Sequence, residues 1–147
     1  MNPESSPSAA GGGSALEIEV AAGLVFRGGK LLIAQRPAGS HLEGLWEFPG
    51  GKRERSESFE ECLARELREE LGIEVGIGRL FASLTHAYPG KTVHLRFYVC
   101  RLERHEPRPL GCPDFRWITA AELGRFEFPA ADAQVIARLA ADAELWR

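Results

Sequence analysis

Residues 50–72 read GGKRERSESFEECLARELREELG and contain seven glutamates. Three of these, Glu66, Glu69 and Glu70, lie near the end of a segment whose pattern predicts a helix. Acidic side chains stabilise a helix near its N-terminus and oppose the partial negative charge at its C-terminus. The crowding of carboxylates at this end therefore indicates a role other than helix stability.

The limits of this helix follow from three residues. Ser58 with Glu61 three positions later predicts a capping box, in which each residue bonds the backbone N–H of the other. Gly72 predicts the end of the helix, because glycine readily adopts the left-handed conformation that closes many helices.

A helical projection at about 100° per residue shows which face carries the carboxylates. The apolar residues share one arc of the helix: Phe59, Cys62, Leu63, Leu67 and Leu71. Glu66 and Glu70 fall inside this arc, and Glu69 lies at its edge. A hard divalent cation such as Mg²⁺ takes oxygen ligands and would relieve the cost of burying these charges. The alternative is a surface helix with local ion pairs, such as Glu61 with Arg65.

The order of predicted elements indicates an α/β (α+β) fold with one mixed sheet and helices packed against it. Residues 1–15 are rich in Ser, Gly, Ala and Pro, which predicts a disordered tail before a single domain at residues 16–147. Gly28 and Gly29 predict a tight hairpin between the first two strands. The predicted strands are at residues 16–26, 30–36, 73–88, 92–103 and 114–118. Further helices are predicted at residues 120–123 and 129–146.

The composition excludes several classes of partner. The formal net charge is −3, which gives no electrostatic basis for binding duplex nucleic acid or a membrane surface. No apolar stretch is long enough for a transmembrane helix, and no secretory signal is visible. Three cysteines at wide spacing favour free thiols in a reducing cytosol, so we expect a cytoplasmic protein. We also expect a monomer or a homodimer.

Nine residues between Gly51 and Ile73 match a known signature. The chain resembles the Nudix hydrolase family, whose signature is G, five residues, E, seven residues, then REUxEExGU, where U is a bulky aliphatic residue. The segments LWEFPGGK and EFPAADAQVIARL are similar to the MutT-like branch of nucleotide-pool enzymes. The matching positions are Gly51, Glu57, Arg65, Glu66, Leu67, Glu69, Glu70, Gly72 and Ile73.

The resemblance implies a Nudix fold, a mixed sheet between helices, and hydrolysis that depends on Mg²⁺ or Mn²⁺. For MutT-like members it implies conversion of a nucleoside triphosphate to a monophosphate and pyrophosphate. We expect oxidised or non-standard nucleotides such as 8-oxo-dGTP, or (d)CTP, as substrates. The alternatives are an ADP-ribose or nucleotide-sugar pyrophosphatase and, in another class, a catalytically weak nucleotide-binding module.

The resemblance also implies roles for individual residues. Glu66 would act as general base or join the metal ligands, and Arg65 would hold a neighbouring glutamate in place. The implied metal ligands are Glu57, Glu66, Glu69, Glu70 and Gly50. Lys52 and Arg36 are expected to contact substrate phosphates, and Phe128 and Asp132 to contact the base.

Three residues depart from the family pattern. Ser56 stands where a glycine is frequent, and Arg53 where many members have an aliphatic residue. Gly111 stands where many MutT-like members have a further glutamate, about six residues before Trp117. Its absence leaves the assignment of the general base dependent on Glu66.

Asp132 stands where MutT-like enzymes often have an asparagine that reads guanine. An ionised carboxylate only accepts hydrogen bonds, and so suits the two adjacent donors of a guanine-type edge. A protonated Asp132 would suit cytosine better, and burial would favour that form. The alternative is that Asp132 only stabilises the first turn of the last helix.

Overall fold

The computed structural model describes residues 16–147, and the predicted tail of residues 1–15 lies outside them. The seven strands are β1 Leu16–Arg27, β2 Lys30–Gln35, β3 Trp46–Glu47, β4 Gly50–Lys52, β5 Glu74–Tyr88, β6 Lys91–Arg104 and β7 Phe115–Ile118. The helices are α1 Phe59–Leu71 and α2 Ala133–Ala141, with 3₁₀ helices at Ala120–Arg125, Ala130–Asp132 and Ala143–Trp146. Across residues 16–147, no helix is both long and apolar enough to cross a membrane.

The strands form one mixed sheet in the order β3-β2-β1-β6-β5, with β4 also paired to β1 and β7 to β2. β1 runs antiparallel to β2 and parallel to β6. Gly28 and Gly29 have φ values of 57° and 79° and connect the paired residues Arg27 and Lys30. The mixed sheet and the tight hairpin predicted from the sequence are both confirmed.

Alternation along the central strands gives the sheet two buried faces. Ala21 and Val25 of β1 pack in the core beneath α1, whereas Ala22 and Leu24 pack in the core beneath α2. Successive side chains of a strand point to opposite faces, so a central strand covered on both sides is apolar throughout. The predicted arrangement of a sheet between helices is therefore confirmed.

Strand β4 was not among the predicted strands. Gly50 and Gly51 lie opposite Ala22 and Ala21 in the sheet. A strand of three residues is too short for a periodic pattern to identify it. Its position matters for the site, because β4 leads directly into the turn that precedes α1.

The predicted helix at residues 129–146 is interrupted in the structure. Asp142 has φ −107° and ψ 81°, which ends α2 before a last 3₁₀ turn. The indole of Trp146 then donates a hydrogen bond to the Leu139 carbonyl at 2.9 Å and packs edge-on against Phe26. Burial of this aromatic ring against β1 favours the interruption over a continuous helix.

Candidate active site

The two ends of α1 lie where the sequence predicted them, and they fix the register of its glutamates. The Ser58 Oγ accepts a hydrogen bond from the Glu61 N–H at 3.0 Å, and the Glu61 carboxylate accepts one from the Ser58 N–H at 2.8 Å. Gly72 has φ 68° and donates to the Arg68 carbonyl at 3.0 Å. Because Glu61 is engaged in this cap, the predicted alternative pairing of Glu61 with Arg65 is not formed.

The carboxylates of α1 differ in exposure as the projection predicted. Leu63, Leu67 and Leu71 are fully buried against the sheet. The Glu66 side chain is 22% exposed, whereas that of Glu69 is 61% exposed. The placement of Glu66 beside the buried leucines is therefore confirmed, and α1 is not a uniformly solvated acidic helix.

Arg65 connects three of the predicted metal-binding glutamates. Its Nε and Nη2 donate to the two Glu57 oxygens at 2.9 and 2.7 Å. Its Nη1 donates to Glu66 at 3.0 Å and to Glu69 at 3.2 Å. Hydrogen bonds from Arg65 and from the Glu54 N–H lower the pKa of Glu57 to about 2. Arg65 thus offsets the repulsion among these carboxylates, in the pairing role expected for it.

Glu70 lies outside the reach of this arginine. Within the described chain, its Oε1 is the one buried side-chain oxygen that has no hydrogen-bond partner. Burial, together with the charges of Glu47 and Glu66, raises the pKa of Glu70 to about 8. A buried carboxylate with an unpartnered oxygen is costly in its ionised form unless a cation binds it.

The two glycines of β4 bring the backbone close to these carboxylates. A Cβ at Gly50 would lie 2.0 Å from the Ala21 carbonyl oxygen, and a Cβ at Gly51 would lie 2.4 Å from the Glu66 Oε1. Only residues without a side chain permit this approach. Gly50, proposed as a backbone metal ligand, therefore lies in the strand that Glu66 packs against.

The candidate ligands are of the chemical type that a hard divalent cation binds, but their side chains do not converge on one point. Among residues 16–147, no three His, Cys, Asp or Glu side chains converge as direct ligands of one ion. Arg65 holds Glu57, Glu66 and Glu69, so a bound cation would compete with it for their oxygens. All the candidate ligands are carboxylates beside a backbone strand, and Glu70 has a free buried oxygen, which suits Mg²⁺ or Mn²⁺.

A cavity of about 410 Å³ extends from β4 to the tip of the β5–β6 hairpin. Apolar residues of β1 and β6 form its floor, and Lys52 and Arg36, which were predicted to contact phosphates, also line it. The Arg36 Nε donates to the His41 carbonyl at 2.6 Å and its Nη1 donates to Glu47 at 2.7 Å. Lys52 is therefore the less committed of the two cations predicted to bind phosphate.

Asp132 also lines this cavity, at the end of the 3₁₀ helix before α2. It is only 6% exposed, and burial followed by the charge of Glu47 raises its pKa to about 7. Its side chain makes no capping hydrogen bond to α2. Asp132 therefore does not act as a side-chain cap, and both its contact with the base and the alternative role toward the helix dipole stay predictions.

Phe128 does not line the cavity, although it was predicted to contact the base. It stacks on Phe48, with ring centroids 5.0 Å apart, and Phe48 is the ring that faces the cavity. The segment after β7 enters the fold with Phe128 directed into the core beneath α2. A role for Phe128 toward the base would therefore act through Phe48.

Glu47 and Tyr88 also line the cavity, although neither was predicted. Glu47 lies opposite Ala34 in the sheet, bonds Arg36, and has a pKa raised by burial. Tyr88 lines the cavity and packs edge-on against His41 at 4.9 Å. An acidic residue between two aromatics in LWEF was a signal for Glu47, whereas nothing local distinguished Tyr88.

Gly111 packs where a further glutamate was noted as absent. Its N–H donates to the Glu70 carbonyl at 2.9 Å, and a Cβ there would lie 3.3 Å from the Glu70 Cα. The segment after β6 thus closes tightly on the end of α1 without adding a carboxylate. Glu66 is left as the half-buried carboxylate beside β4, and burial raises its pKa.

A sequence profile of the NUDIX domain matches residues 21–138 of the chain. The CTP pyrophosphohydrolase of Escherichia coli K12 is 42% identical over 123 residues, which cover 80% of this chain and 86% of that protein. The 8-oxo-dGTP diphosphatase of the same strain is 33% identical over 126 residues, covering 84% of this chain and 96% of that one.

The likeness extends to solved structures. MutT of methicillin-resistant Staphylococcus aureus 252, a Nudix hydrolase, aligns with a TM-score of 0.73 at 30% identity, covering 87% of this chain and 98% of that one. The chain belongs to the Nudix hydrolase family, in its MutT-like branch. Nudix hydrolases generally use a divalent metal ion.

The buried position of Glu70 predicts a pH-dependent change in the stability of the metal-free protein. Its pKa is about 8 in the folded protein against an ordinary value of 4.5. The folded state therefore keeps a proton that the unfolded chain loses, so this contribution is complete below pH ~4.5 and is lost as the pH rises to ~8. In EDTA at pH 8, Glu70→Gln should raise Tm by about 4 °C or more, from roughly 2–4 °C per kcal/mol.

This difference in Tm should shrink toward pH 5, where Glu70 is protonated in the folded state. Glu69→Gln is the matched control, since Glu69 is exposed, and it should change Tm little at either pH. Scanning calorimetry of the three proteins at both pH values provides the measurement. A Glu70→Gln protein that is less stable than the wild type at pH 8 would show that a cationic partner holds the ionised Glu70.

Proposed function

We propose that this protein hydrolyses nucleoside triphosphates to monophosphates and pyrophosphate in a reaction that requires Mg²⁺. The observation that carries the proposal is the unpartnered, buried Glu70 oxygen in a carboxylate cluster beside β4, the strand whose residues line a cavity that also contains Asp132. The names of the E. coli relatives favour 8-oxo-dGTP or CTP as substrates. The three buried free thiols fit a cytoplasmic location.

The metal would be held by carboxylates of α1, by one carboxylate from the turn before α1 and by a backbone carbonyl of β4. Glu57, Glu66, Glu69 and Glu70 supply carboxylate oxygens, and Gly50 supplies a backbone carbonyl from β4. A divalent cation held at this place would neutralise phosphate oxygens and lower the pKa of water. Arg65 would then orient the carboxylates with which it remains in contact.

Glu66 is the residue proposed to accept the proton of the attacking water. Arg65 bonds its Oε2, which leaves Oε1 beside β4 available to the water. Burial raises the pKa of Glu66, which makes its carboxylate a stronger base than an exposed glutamate. Water adds to a phosphorus of the anhydride, the bond to the bridging oxygen breaks, and the proton moves to Glu66.

Lys52 and Arg36 are proposed to bind the phosphate chain. Lys52 ends β4 and lines the cavity beside the glutamates, where its charge would stabilise the leaving phosphate group. Arg36 is fixed by the His41 carbonyl and by Glu47. This fixed orientation would direct its remaining donors to one part of the substrate.

Asp132 is proposed to read the base, with Phe48 as an apolar wall and Phe128 stacked behind that ring. A pKa of about 7 means that both protonation states of Asp132 are populated near neutral pH. The ionised form accepts two donors from a guanine-type edge, and the protonated form suits the donor and acceptor of cytosine. One residue would therefore serve both kinds of base named among the relatives.

Removal of divalent metal should abolish activity. EDTA is expected to stop hydrolysis of 8-oxo-dGTP and CTP, and Mg²⁺ or Mn²⁺ should restore it. Zn²⁺ should restore it poorly, because the proposed ligands are hard oxygens. Pyrophosphate release is measured directly, and full activity in EDTA would rule out the metal role of the carboxylates.

The same assay separates the proposed substrate class from nucleotide sugars. With a triphosphate, added pyrophosphatase should release phosphate. With ADP-ribose, phosphate would appear only after addition of a phosphomonoesterase. Activity confined to the second assay would favour the nucleotide-sugar alternative, and tight binding without turnover in either would favour a binding module.

Glu66→Gln should lower kcat by about 10²–10⁴-fold, the range for general-base catalysis. The amide keeps the shape of the side chain, so Tm should change little. Glu60→Gln is the control, because Glu60 lies exposed on the same helix. A Glu66→Gln enzyme that loses less than tenfold in kcat would show that another group accepts the proton.

Base preference should depend on pH through Asp132. The ratio of kcat/KM for CTP to that for 8-oxo-dGTP is expected to fall between pH 6 and pH 8, as Asp132 loses its proton near pH 7. Asp132→Asn should flatten this ratio, since an amide does not titrate. Asp132→Ala should lower kcat/KM for the best substrate by about 10- to 200-fold, the loss of one or two hydrogen bonds. Equal losses for all bases would show that Asp132 does not read the base.

A further inference from the structure

Arg53 is the first residue after β4 and stands where many family members have an aliphatic residue. Its side chain is 25% exposed, so most of it lies against the protein. Its backbone N–H donates to the Glu19 carbonyl at 2.8 Å. The backbone of Arg53 thus extends the pairing of β4 with β1 by one residue.

The guanidinium of Arg53 joins β1 to the turn at residues 54–57. Its Nε donates to the Glu19 Oε1 at 2.9 Å, and its Nη2 bonds the same oxygen. On the other side, its Nη1 donates to the Glu57 carbonyl at 2.7 Å and to the Glu54 carbonyl at 3.3 Å. One side chain therefore bonds both ends of the turn to a central strand.

Within the turn, two hydrogen bonds join its ends. The Glu57 N–H donates to the Glu54 carbonyl at 3.2 Å, and the Glu54 N–H donates to the Glu57 Oε2 at 2.9 Å. Residues 54–57 belong to no helix or strand. The direction in which the turn presents the Glu57 carboxylate therefore depends on Arg53 as well as on Arg65.

The guanidinium also lies near an aromatic ring. The Arg53 Cζ lies 5.4 Å from the centre of the Phe59 ring, and the Arg96 Cζ lies 4.1 Å from the same ring. Phe59 begins α1, so this contact ties the guanidinium to the helix that carries the other glutamates. Arginine held by a ring and by several acceptors is not replaceable by lysine without loss of contacts.

We propose that Arg53 is a positioning residue for the metal-dependent reaction, which joins Glu19 of β1 to the 54–57 turn and thereby holds the Glu57 carboxylate in place for the metal ion. This inference rests on the proposed function, since it assigns Arg53 a part in the same metal site. Arg53 contacts neither substrate nor metal in this role. It acts through the backbone of the turn.

The test is direct Mn²⁺ binding, followed by the electron paramagnetic resonance signal of free Mn²⁺. The variants are Arg53→Leu, Arg53→Lys and Glu19→Gln, and the matched control is Arg55→Leu, an exposed arginine in the same turn. Arg53→Leu should raise the Kd for Mn²⁺ by about 10- to 100-fold, the effect of losing hydrogen bonds from a charged donor. Arg53→Lys and Glu19→Gln should each raise it by about threefold or more, and Arg55→Leu by less than twofold.

A second readout separates positioning from a general loss of stability. In Arg53→Leu the Mg²⁺ concentration for half-maximal activity should rise in parallel with the Kd for Mn²⁺, while kcat at saturating Mg²⁺ stays within about threefold of the wild type. A Kd for Mn²⁺ that matches the Arg55→Leu control, with only Tm lowered, would overturn the inference. If Arg53→Leu does not fold, Arg53→Lys and Glu19→Gln decide by the same comparison.

The outcomes distinguish this inference from the proposed function. Wild-type protein that binds Mn²⁺ but hydrolyses no nucleotide would overturn the proposed function. The Kd values of the variants for Mn²⁺ would then decide whether Arg53 positions Glu57. Wild-type protein that binds no Mn²⁺ would overturn both. Hydrolysis by the wild type with unchanged Mn²⁺ binding in Arg53→Leu would overturn only the role of Arg53.

Discussion

The burial of negative charge at the end of α1 is the constraint on which the rest of the structure depends. Glu66 and Glu70 share the side of the helix that packs on the sheet, where water screens their charges poorly. Arg65 offsets this repulsion for Glu57, Glu66 and Glu69, and its guanidinium is fully occupied in doing so. Glu70 is out of reach of Arg65. Its raised pKa and its unpartnered oxygen reflect the free-energy cost of burying this carboxylate. Metal-free protein therefore holds this site in a state that a divalent cation would relieve, as expected for a metal-dependent member of its family.

The surrounding fold brings backbone, not further side chains, up to these carboxylates. β4 lies against Glu66 only because Gly51 has no Cβ, and the segment after β6 closes on Glu70 through Gly111. Backbone at this distance supplies oriented N–H and carbonyl groups without the entropy cost of ordering a side chain. The capping box at Ser58 and the left-handed Gly72 then set the rotation of the helix, so that the carboxylates meet this backbone in one register.

Local patterns in the sequence predicted the parts of the fold that local interactions determine. The ends of α1 and the faces that its leucines and Glu66 occupy follow from capping and from the helical period, and the Gly28–Gly29 hairpin follows from turn chemistry. The features that were missed depend on contacts between distant segments. β4 is too short to show a period, the burial of Glu47 follows from its register against β2, and the place of Phe128 depends on how the chain enters α2. The glutamate cluster was recognisable because its helical spacing conflicts with a solvated surface, whereas Tyr88 reaches the cavity only through the length of the β5–β6 hairpin.

Glu47 makes the two ends of the cavity interdependent. Its side chain is 19% exposed and bonded to Arg36, and its charge raises the pKa of Glu70 on one side and of Asp132 on the other. Electrostatic coupling of this kind is reciprocal, because each site changes the other by the same free energy. Under the proposed function, a cation bound at Glu70 adds positive charge near Glu47 and favours the ionised form of Asp132. The loaded enzyme would then present a carboxylate that accepts hydrogen bonds from a guanine-type base, so the occupancy of the metal site and the choice of base would be set together.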